Sequence, residues 1–563
     1  MNNIDTDNAQ SPADTHKDSG YNALEKQDAA AVTPEYPTGF NIAIIILGLC
    51  FAIFCVAIDG TIIATAIPRI TDQFHSLQDI GWYASAYLLL LAAFQLFYGK
   101  LYVRFSSKVV FLVALFIFEV GSLICATAPN SIAFILGRAI AGLGAAGLFS
   151  GCFVIVAQSS PIDKRPAYSS ALGATYGVGS VVGPLIGGAF TSRVTWRWCF
   201  YINLPIGGVS ALVIVLFLHL KYQIAAGQKK NGIVATLGQL DPLGTFLFVP
   251  GIICLLLALQ WGGTTYAWNS GRVIALLVLF GVLMIAFVAV QFWLKEAGTI
   301  PPRIMTQRTV VFASLFSFLL GGSYFILIYF LPVWFQAIKS VSALHSGVDT
   351  IPFVLSMAVG TIFSGALTTK LGHYMPYVYG SVVFISIATG LITTFQPGTS
   401  HGKWIGYQIL YGFGAGLAFQ LPQIAVQAVL PLADVSVGVA ITFFTQILAG
   451  ALFVSICNNI FDNKLVKYVG ALNIPSVDAK DLVKLGATEI RSYIPPQYLT
   501  EVLEAYNHAL VKIFQVALVV ACLSALAAAG MEWKSVKPAA VVEDTQDKQP
   551  INNQDTVGSP SSI

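Results

Sequence analysis

The sequence predicts an all-α membrane protein with about fourteen transmembrane helices. Of its 563 residues, 56% are hydrophobic and only 10% are charged, whereas average soluble proteins carry about 25% charged residues. Apolar runs of about 20 residues, long enough to cross a bilayer as a helix, recur along most of the chain. This composition excludes a soluble fold.

The predicted helices follow one another with mostly short connections. Glycine and proline within them do not exclude a helix, because both are common in membrane helices. The predicted spans are 42–67, 81–100, 109–127, 132–157, 168–190, 203–220, 243–261, 274–295, 311–335, 351–369, 377–395, 404–428, 437–460 and 508–530.

Basic residues in alternate short loops predict the orientation, because cytoplasmic loops are richer in lysine and arginine. The second-to-third loop contains Lys100, Arg104 and Lys108, and the fourth-to-fifth contains Lys164 and Arg165. The loops between these sets are mostly poorer in basic residues. The richer loops and both tails are therefore expected in the cytoplasm.

An even helix number with this loop pattern suits two six-helix halves plus a pair of extra helices, central in the sequence; the repeat itself is implied by the resemblance of the motifs to a known family. Both ends of the chain are polar and are expected to be disordered. The expected divisions are a cytoplasmic N-tail at 1–41, an N-terminal bundle at 42–220, a linker with the extra helix pair at 221–300, a C-terminal bundle at 301–530 with an extracellular loop at 461–507, and a cytoplasmic C-tail at 531–563.

Asp59 is a lone carboxylate in the otherwise apolar run from Ile42 to Pro68. A charge at membrane depth costs at least ~2.5 kcal/mol and by default indicates a functional residue, such as a proton carrier. The alternative is an aspartate at the outer end of the helix, exposed at the membrane interface.

Arg138 lies inside the fourth predicted span, where it shares a helix face with Gly142 and Ala145. At 1.5 Å per residue, Asp59 is ~27 Å from the cytoplasmic start of its helix and Arg138 is ~10 Å from the outer end of its own. Both fall in the outer half of a bilayer, so we expect them to interact. The alternative is a structural arginine bound to backbone carbonyls.

The fifth span carries glycine every four residues, at Gly179, Gly183 and Gly187, together with Pro184 and Gly188. Small residues at this spacing allow two membrane helices to approach closely, and proline favours a bend. A tightly packed helix with a weak point suits a gate, although plain helix packing is the alternative.

Glu119 lies near the middle of the third span and is a further candidate for proton coupling. A packed structural carboxyl is the reading we favour for it. Polar and aromatic residues in other spans suit a cavity for partly polar, uncharged substrates, although each could instead join two helices by a hydrogen bond. The candidate cavity residues are Tyr87, Gln95, Tyr176, Tyr324, Gln420, Gln423, Gln427 and Gln446.

Several motifs resemble those of the fourteen-helix drug:proton antiporter family of the major facilitator superfamily. The resemblance covers residues 42–530 and includes the fungal branch that exports toxins and secondary metabolites. The matching segments are Asp59-Gly-Thr-Ile-Ile-Ala-Thr-Ala-Ile-Pro68, the fourth-helix segment from Arg138, Gly179-Ser-Val-Val-Gly-Pro-Leu-Ile-Gly-Gly188, Trp196-Arg-Trp-Cys-Phe-Tyr-Ile-Asn-Leu-Pro-Ile-Gly207, Leu331-Pro-Val-Trp-Phe-Gln336, Ser342-Ala-Leu-His-Ser-Gly347 with Pro352, and Gln420-Leu-Pro-Gln423 with Gln427.

One motif departs from the superfamily pattern. The second-to-third loop has Val103 and Ser106 where that pattern has an aspartate and a glycine. The basic residues of the loop remain, but the acidic group that would latch it to a neighbouring helix is missing. A cytoplasmic gate that depends on this aspartate is therefore in doubt.

The resemblance implies a major facilitator fold and a proton-coupled antiporter that exports a small organic molecule by alternating access. The expected partners are that substrate, protons and membrane lipid, with no nucleic acid, and the protein is expected to be monomeric. The plasma membrane is the expected location and the vacuolar membrane the alternative. A vacuolar transporter of basic amino acids and a non-transporting sensor or scaffold remain as alternative functions.

No enzyme or cofactor is expected. The sequence contains no GxxxxGK[ST] phosphate-binding loop, which leaves ATP-driven pumping unsupported. It likewise shows no CxxC spacing, metal-ligand cluster or nucleophile motif.

Overall fold

A computed structural model of the chain describes residues 36–76, 79–219, 240–263, 265–475 and 490–537, together with Ala479 and Leu482. These residues are helical or lie in connections between helices, and they contain no strand. Two isolated backbone bridges, Gly262 with Tyr266 and His373 with Ser535, occur in the described part of the chain.

The long helices correspond to every predicted span, with the twelfth span divided in two. They are α1 (Phe40–Phe74), α2 (Ile80–Arg104), α3 (Ser107–Thr127), α4 (Ser131–Ser159), α5 (Arg165–Arg193), α6 (Asn203–Phe217), α7 (Pro242–Trp261), α8 (Gly271–Leu294), α9 (Arg308–Lys339), α10 (Ile351–Leu371), α11 (Met375–Ile392), α12 (His401–Ala418), α13 (Leu421–Val429), α14 (Val435–Gly470) and α15 (Leu499–Gly530). Shorter helical segments are Trp198–Tyr201, Lys295–Ala297, Pro302–Met305, Ala343–Asp349, Ile490–Tyr493 and Pro496–Tyr498.

Several helices are longer than their predicted spans. The segment 461–507, expected as an extracellular loop, is helical up to Gly470 and again from Leu499. At 1.5 Å per residue, the 36 residues of α14 reach ~54 Å, well beyond a ~30 Å hydrocarbon core. Hydropathy detects the part of a helix that faces lipid, so it misses helical turns that continue into water.

Thirteen helices in the described residues are long and apolar enough to cross a membrane. Helix α5 corresponds to a predicted span but is absent from this set, because glycine, serine and threonine dilute its apolar residues. It packs between α1 and α10. Protein neighbours on two sides reduce the apolar surface that α5 needs toward lipid.

The helices form two bundles, α1–α6 and α9–α15. The bundles meet where α5 packs on α10 and where α14 packs on α2 and α4. The extra pair, α7 and α8, lies at the periphery: α7 contacts α2 and α14, one helix from each bundle, while most of α8 is exposed. This arrangement agrees with two six-helix bundles and an added pair.

The first residues of the predicted C-tail are docked on the protein. The Val536 N–H donates to the Gly372 carbonyl at 2.8 Å, and the Val536 side chain is buried. The Tyr374 hydroxyl donates to the Glu532 carbonyl at 2.5 Å. Residues 538–563 of that predicted tail, and 1–35 of the predicted N-tail, lie outside the described part of the chain.

Candidate functional site

Asp59 and Arg138 form a buried ion pair between α1 and α4. Arg138 Nη1 lies 2.6 Å from Asp59 Oδ2, and the two side chains are 0% and 1% exposed. The structure thus shows the proximity that the sequence predicts. A fully enclosed Asp59 does not fit the alternative of an aspartate exposed at the membrane interface.

Arg138 also makes the carbonyl contact considered as its alternative. Its Nε donates to the Tyr83 carbonyl at 2.9 Å, and its guanidinium lies 4.4 Å from the centre of the Tyr87 ring. Both contacts come from α2. Arg138 therefore joins α1, α2 and α4 at one point, with the carboxylate as its ionic partner.

Asn203, the first residue of α6, completes the surroundings of Asp59. Its Nδ2 donates to Asp59 Oδ1 at 3.2 Å and to Ser122 Oγ at 3.1 Å. In the sequence, Asn203 was noted only as one residue of the Trp196–Gly207 motif, and its contact with Asp59 was not predicted. An amide opening an apolar span was the signal that could have identified it.

Arg197 of the same motif fixes the connection before α6. Its guanidinium donates to the carbonyls of Ala126 and Ala128 at 2.8 and 3.0 Å. The Cys55 thiol lies 3.9 Å from the Asn203 carbonyl, as a weak hydrogen bond. These contacts hold the start of α6 against α1 and the end of α3, and thereby place Asn203 beside Asp59.

Glu119 lies on α3, one turn before Ser122, and does not join the ion pair. Both of its carboxyl oxygens are buried, and neither has a hydrogen-bond partner among the described residues. A Cβ atom added at Gly207 would overlap Glu119 Oε1, so the carboxyl packs directly against α6. Burial of an unpaired charge is costly.

The glycines of α5 allow its close approach to α1, on the turns around Asp59. A Cβ atom at Gly179 would lie 2.7 Å from the Ala57 Cβ, and one at Gly183 or Gly187 would overlap the hydroxyl of Thr61 or Thr65. Pro184 lies inside a continuous helix. A shift of α5 would therefore directly change its packing against α1.

The predicted cavity residues are buried in the interior, except for the partly exposed Tyr176, and several lack hydrogen-bond partners among the described residues. Within the described residues, both side-chain amide atoms of Gln95, Gln423 and Gln427 are unpaired, as are Gln420 Oε1 and the Tyr87 hydroxyl. Gln446 is 4% exposed and Tyr324 is 5% exposed. Unpaired buried amides are rare in proteins and are available to a ligand.

Gln420 lies where the twelfth span is interrupted, between α12 and α13. Discontinuous helices form binding sites in many transporters, because the break exposes polar groups at membrane depth. Gln420 packs on Gly173 of α5, so the break faces the N-terminal bundle. Tyr176, also on α5, packs edge-on against Phe149 at 5.5 Å, and Tyr324 packs against Phe419 beside the break at 5.2 Å.

At the end of α2 and the start of α5, the two bundles are joined by groups other than the missing aspartate. The Ala167 N–H of α5 donates to Thr369 Oγ1 of α10 at 3.1 Å. Lys100 Nζ donates to the Gly298 carbonyl, and Arg303 Nη1 donates to Asp434 Oδ2 at 2.8 Å. The segment after α8 therefore contacts α2 on one side and the start of α14 on the other.

Asp241 organises this segment. It caps α7 by accepting from the Gly244 N–H at 2.7 Å, and its other oxygen accepts from Gln291 Nε2 at 2.8 Å and from the N–H and hydroxyl of Thr299 at 2.8 and 2.9 Å. The segment 298–300 that receives Lys100 is thus held by a buried carboxylate. These contacts join α2, the segment after α8 and the start of α14, close in sequence to the position where Val103 replaces an acidic group.

Two packed helical bundles, with a buried ion pair inside the first bundle and unpaired polar side chains in the described interior, are the architecture of a membrane transporter. The family model for the Major Facilitator Superfamily matches residues 49–454. The chain belongs to this family, and it is therefore a transporter and not an enzyme.

Relatives with similar sequences include efflux pump aflT of Aspergillus parasiticus, which is 53% identical over 510 residues covering 91% of this chain and 99% of that protein. MFS-type efflux pump MFS1 of Arthroderma benhamiae is 53% identical over 93% of this chain and 98% of its own length. MFS-type transporter phomT of Diaporthe leptostromiformis is 50% identical over 92% and 87%, respectively.

Solved structures support the same fold. The human organic anion transporter MFSD10 aligns with a TM-score of 0.55 at 14% identity, over 86% of this chain and all of that one. The proton:xylose symporter XylE aligns with a TM-score of 0.54 at 15% identity, over 82% of this chain and 98% of that one. At these identities the likeness concerns the fold alone.

Proposed function

We propose that the protein is a proton-coupled efflux transporter that exports a small organic molecule, such as a mycotoxin, another secondary metabolite or a drug, by alternating access. The observation that carries this proposal is the enclosed Asp59–Arg138 pair at 2.6 Å. An intramembrane carboxylate next to an arginine is a group on which a proton can be loaded and released. The names of the similar efflux pumps support the direction of transport.

Protonation of Asp59 would disturb the packing around it. Breaking a buried ion pair by removing one charge costs about 3–5 kcal/mol, because the other charge is left uncompensated. A neutral Asp59 would therefore favour a conformation in which Arg138 finds other partners, and the Tyr83 carbonyl is already one of them. A difference of this size is enough to shift a two-state equilibrium by more than a hundredfold.

The motion would pass from α1 to α5. Helix α5 packs without spare volume on Ala57, Thr61 and Thr65 of α1 and, on its other side, on α10 of the second bundle. A rearrangement around Asp59 therefore reaches the interface between the bundles. In this proposal Gly179, Gly183, Pro184, Gly187 and Gly188 act as the gating motif.

The substrate would bind between the bundles near the break at Gln420. The unpaired amides of Gln95, Gln423 and Gln427 offer both hydrogen-bond donors and acceptors without charge. This chemistry suits an uncharged, partly polar molecule. It does not favour a basic amino acid, which would require carboxylates toward the substrate.

We further propose a monomer in the plasma membrane, with the vacuolar membrane as the alternative.

The test uses purified full-length protein in liposomes with an imposed pH gradient and a panel of uncharged aromatic fungal metabolites. We expect gradient-dependent flux of at least one compound, accompanied by counter-movement of protons that a trapped pH indicator reports. Asp59→Asn should abolish gradient-driven flux. Asp72→Asn is the matched control, because it makes the same chemical change on an exposed residue of α1.

Undiminished gradient-driven flux in Asp59→Asn would refute Asp59 as the proton carrier. Flux of lysine or arginine in place of the uncharged panel would favour the vacuolar amino acid transporter. If none of these compounds moves in any gradient, the sensor or scaffold function is favoured instead.

A further inference from the structure

The side chain of Asn203 is enclosed and asymmetrically bonded. It is 0% exposed, and its Nδ2 donates both to Asp59 Oδ1 at 3.2 Å and to Ser122 Oγ at 3.1 Å. Its Oδ1 is buried and has no partner among the described residues. A buried amide that uses only its nitrogen is costly, so its retention next to an ion pair calls for an explanation.

The hydrogen-bonding needs of Asp59 reverse when it takes up a proton. An ionised carboxylate only accepts, whereas a protonated carboxyl also carries one O–H donor. The present arrangement serves the ionised form, because Asn203 Nδ2 and Arg138 Nη1 both donate to it. A proton placed on Asp59 Oδ1 would point at an N–H donor and would have no acceptor.

A half-turn of the Asn203 amide removes this conflict. The half-turn exchanges Nδ2 and Oδ1, so that Oδ1 faces Asp59 and can accept its proton. Oδ1 would then also face Ser122, whose hydroxyl can donate as readily as it now accepts. One amide atom is left unpaired in either orientation, so no further partner opposes the turn.

We propose that Asn203 is a positioning residue whose amide rotates with the protonation state of Asp59, so that the carboxyl is hydrogen-bonded both with and without its proton. This inference rests on the proposed proton uptake by Asp59. Asn203 touches neither the substrate nor α5 in this role. It acts by keeping the Asp59 carboxyl hydrogen-bonded both before and after the proton is exchanged.

The other titratable groups around the pair do not form such a hydrogen bond with Asp59 Oδ1. The neighbours are Arg138 on α4, Glu119 on α3, Tyr87 and Tyr83 on α2, Cys55 on α1, Cys125 on α3 and Tyr176 on α5. Arg138 has donors only. Among the described residues, no hydrogen bond joins the carboxyl of Glu119 or the hydroxyl of Tyr87 to Asp59. The amide of Asn203 is the group that meets Asp59 Oδ1.

The test compares Asn203→Thr with Asn203→Val, which have the same shape and differ by one hydroxyl. A threonine hydroxyl can donate or accept, and valine can do neither. Infrared difference spectra of the purified full-length protein are recorded across a pH titration, without substrate. The Asp59 carboxyl band is identified by its loss in Asp59→Asn, and the Asn203 amide band by its loss in Asn203→Thr.

In the wild type we expect the Asn203 carbonyl band to move to lower wavenumber as Asp59 is protonated, because Oδ1 gains a hydrogen bond. In Asn203→Val the band of the protonated Asp59 carboxyl should lie at higher wavenumber, because its O–H loses the acceptor that Asn203 provides. Asn203→Thr should keep this band near its wild-type position.

An Asn203 band that does not change while Asp59 titrates would overturn the inference, and this measurement needs only the wild type and the threonine variant. The inference also fails if the valine variant folds and its protonated Asp59 band lies at the wild-type wavenumber. These results leave the proposed function intact. If no band lost in Asp59→Asn titrates at all, proton uptake by Asp59, and with it the proposed function, is refuted.

Discussion

Gly183→Ala is expected to impair both the packing and the transport activity of this protein. A Cβ atom at this position would overlap Thr61 Oγ1 and would lie 3.2 Å from the Ile62 nitrogen and 3.3 Å from the Ile58 carbonyl oxygen. Thr61 cannot simply turn aside, because its hydroxyl already donates to the Ala57 carbonyl at 2.9 Å. Overpacking of this kind typically costs about 1–3 kcal/mol.

This strain acts where the proposed gating helix α5 packs against α1, which carries the proposed proton carrier Asp59. Thr61 is two residues from Asp59, so pushing α5 away from α1 loosens the packing on the turn that carries the carboxylate. A strain of about 1–3 kcal/mol that acts on one conformation changes the ratio of two conformations by about 5- to 150-fold. We therefore expect proton-driven flux to fall by at least about fivefold.

Gly177→Ala is the matched control on the same helix. A Cβ atom there would lie 3.7 Å from the Ala358 Cβ and 3.8 Å from Val354, which is ordinary contact. The gain in helix propensity of about 1 kcal/mol applies to both substitutions and cancels in the comparison. Gly177→Ala should be at least as stable as the wild type and should keep wild-type flux.

Thermal denaturation of the purified protein and flux in liposomes are measured for both variants and for a double-mutant cycle. Thr61→Ala removes the atom nearest the new methyl group, so it should recover part of the loss caused by Gly183→Ala, with a coupling of about 0.5–3 kcal/mol between the two sites. Equal behaviour of the two glycine variants would refute the close-packing argument. So would a double variant that shows no coupling.

Three further substitutions test other parts of the structure. Glu119→Gln should keep proton-driven flux within about twofold, because the carboxyl makes no hydrogen bond in the described residues; a loss as deep as that of Asp59→Asn in the same assay would instead make it a proton carrier. Gln423→Leu should leave thermal stability equal or higher, because a buried unpaired amide is removed, while transport falls; reduced stability with normal flux would exclude Gln423 from the substrate site. Asp241→Ala should lower the free energy of unfolding by about 3 kcal/mol or more, because it leaves several buried donors unpaired. A thermal shift like that of the exposed Asp72→Asn would contradict the role of Asp241 in holding the segment after α8.

The helical architecture was accessible from the sequence because hydropathy is a local property. A run of apolar residues long enough to cross the bilayer needs no knowledge of its neighbours, and each predicted span has a helix in the structure. The ends of the helices were harder to predict, as α14 shows, because helices continue into water where the apolar pattern stops. The span of α5 was recognised despite its glycines, although its apolar character alone falls short.

The candidate site could be predicted from the sequence in part. Asp59 and Arg138 are identified by their charge inside apolar runs, and depth along each helix was enough to predict that they meet. Asn203 was not identified as their partner, because it is 144 residues from Asp59 along the chain and has no charge. Contacts of this kind depend on how α1, α3 and α6 pack, which no local pattern contains.

The sequence by itself determined the class of protein, the number and order of its helices, the expensive charges and the glycine spacing of α5, because each follows from composition or from a period along one helix. Apart from the Asp59–Arg138 pair, only the tertiary structure decided which groups meet. It placed Asn203 and Ser122 beside Asp59, left Glu119 and several interior glutamines without partners in the described residues, and joined α2 to the segment after α8. The physical reason is that hydrogen bonds and close packing act over a few ångströms between segments that are far apart in the chain.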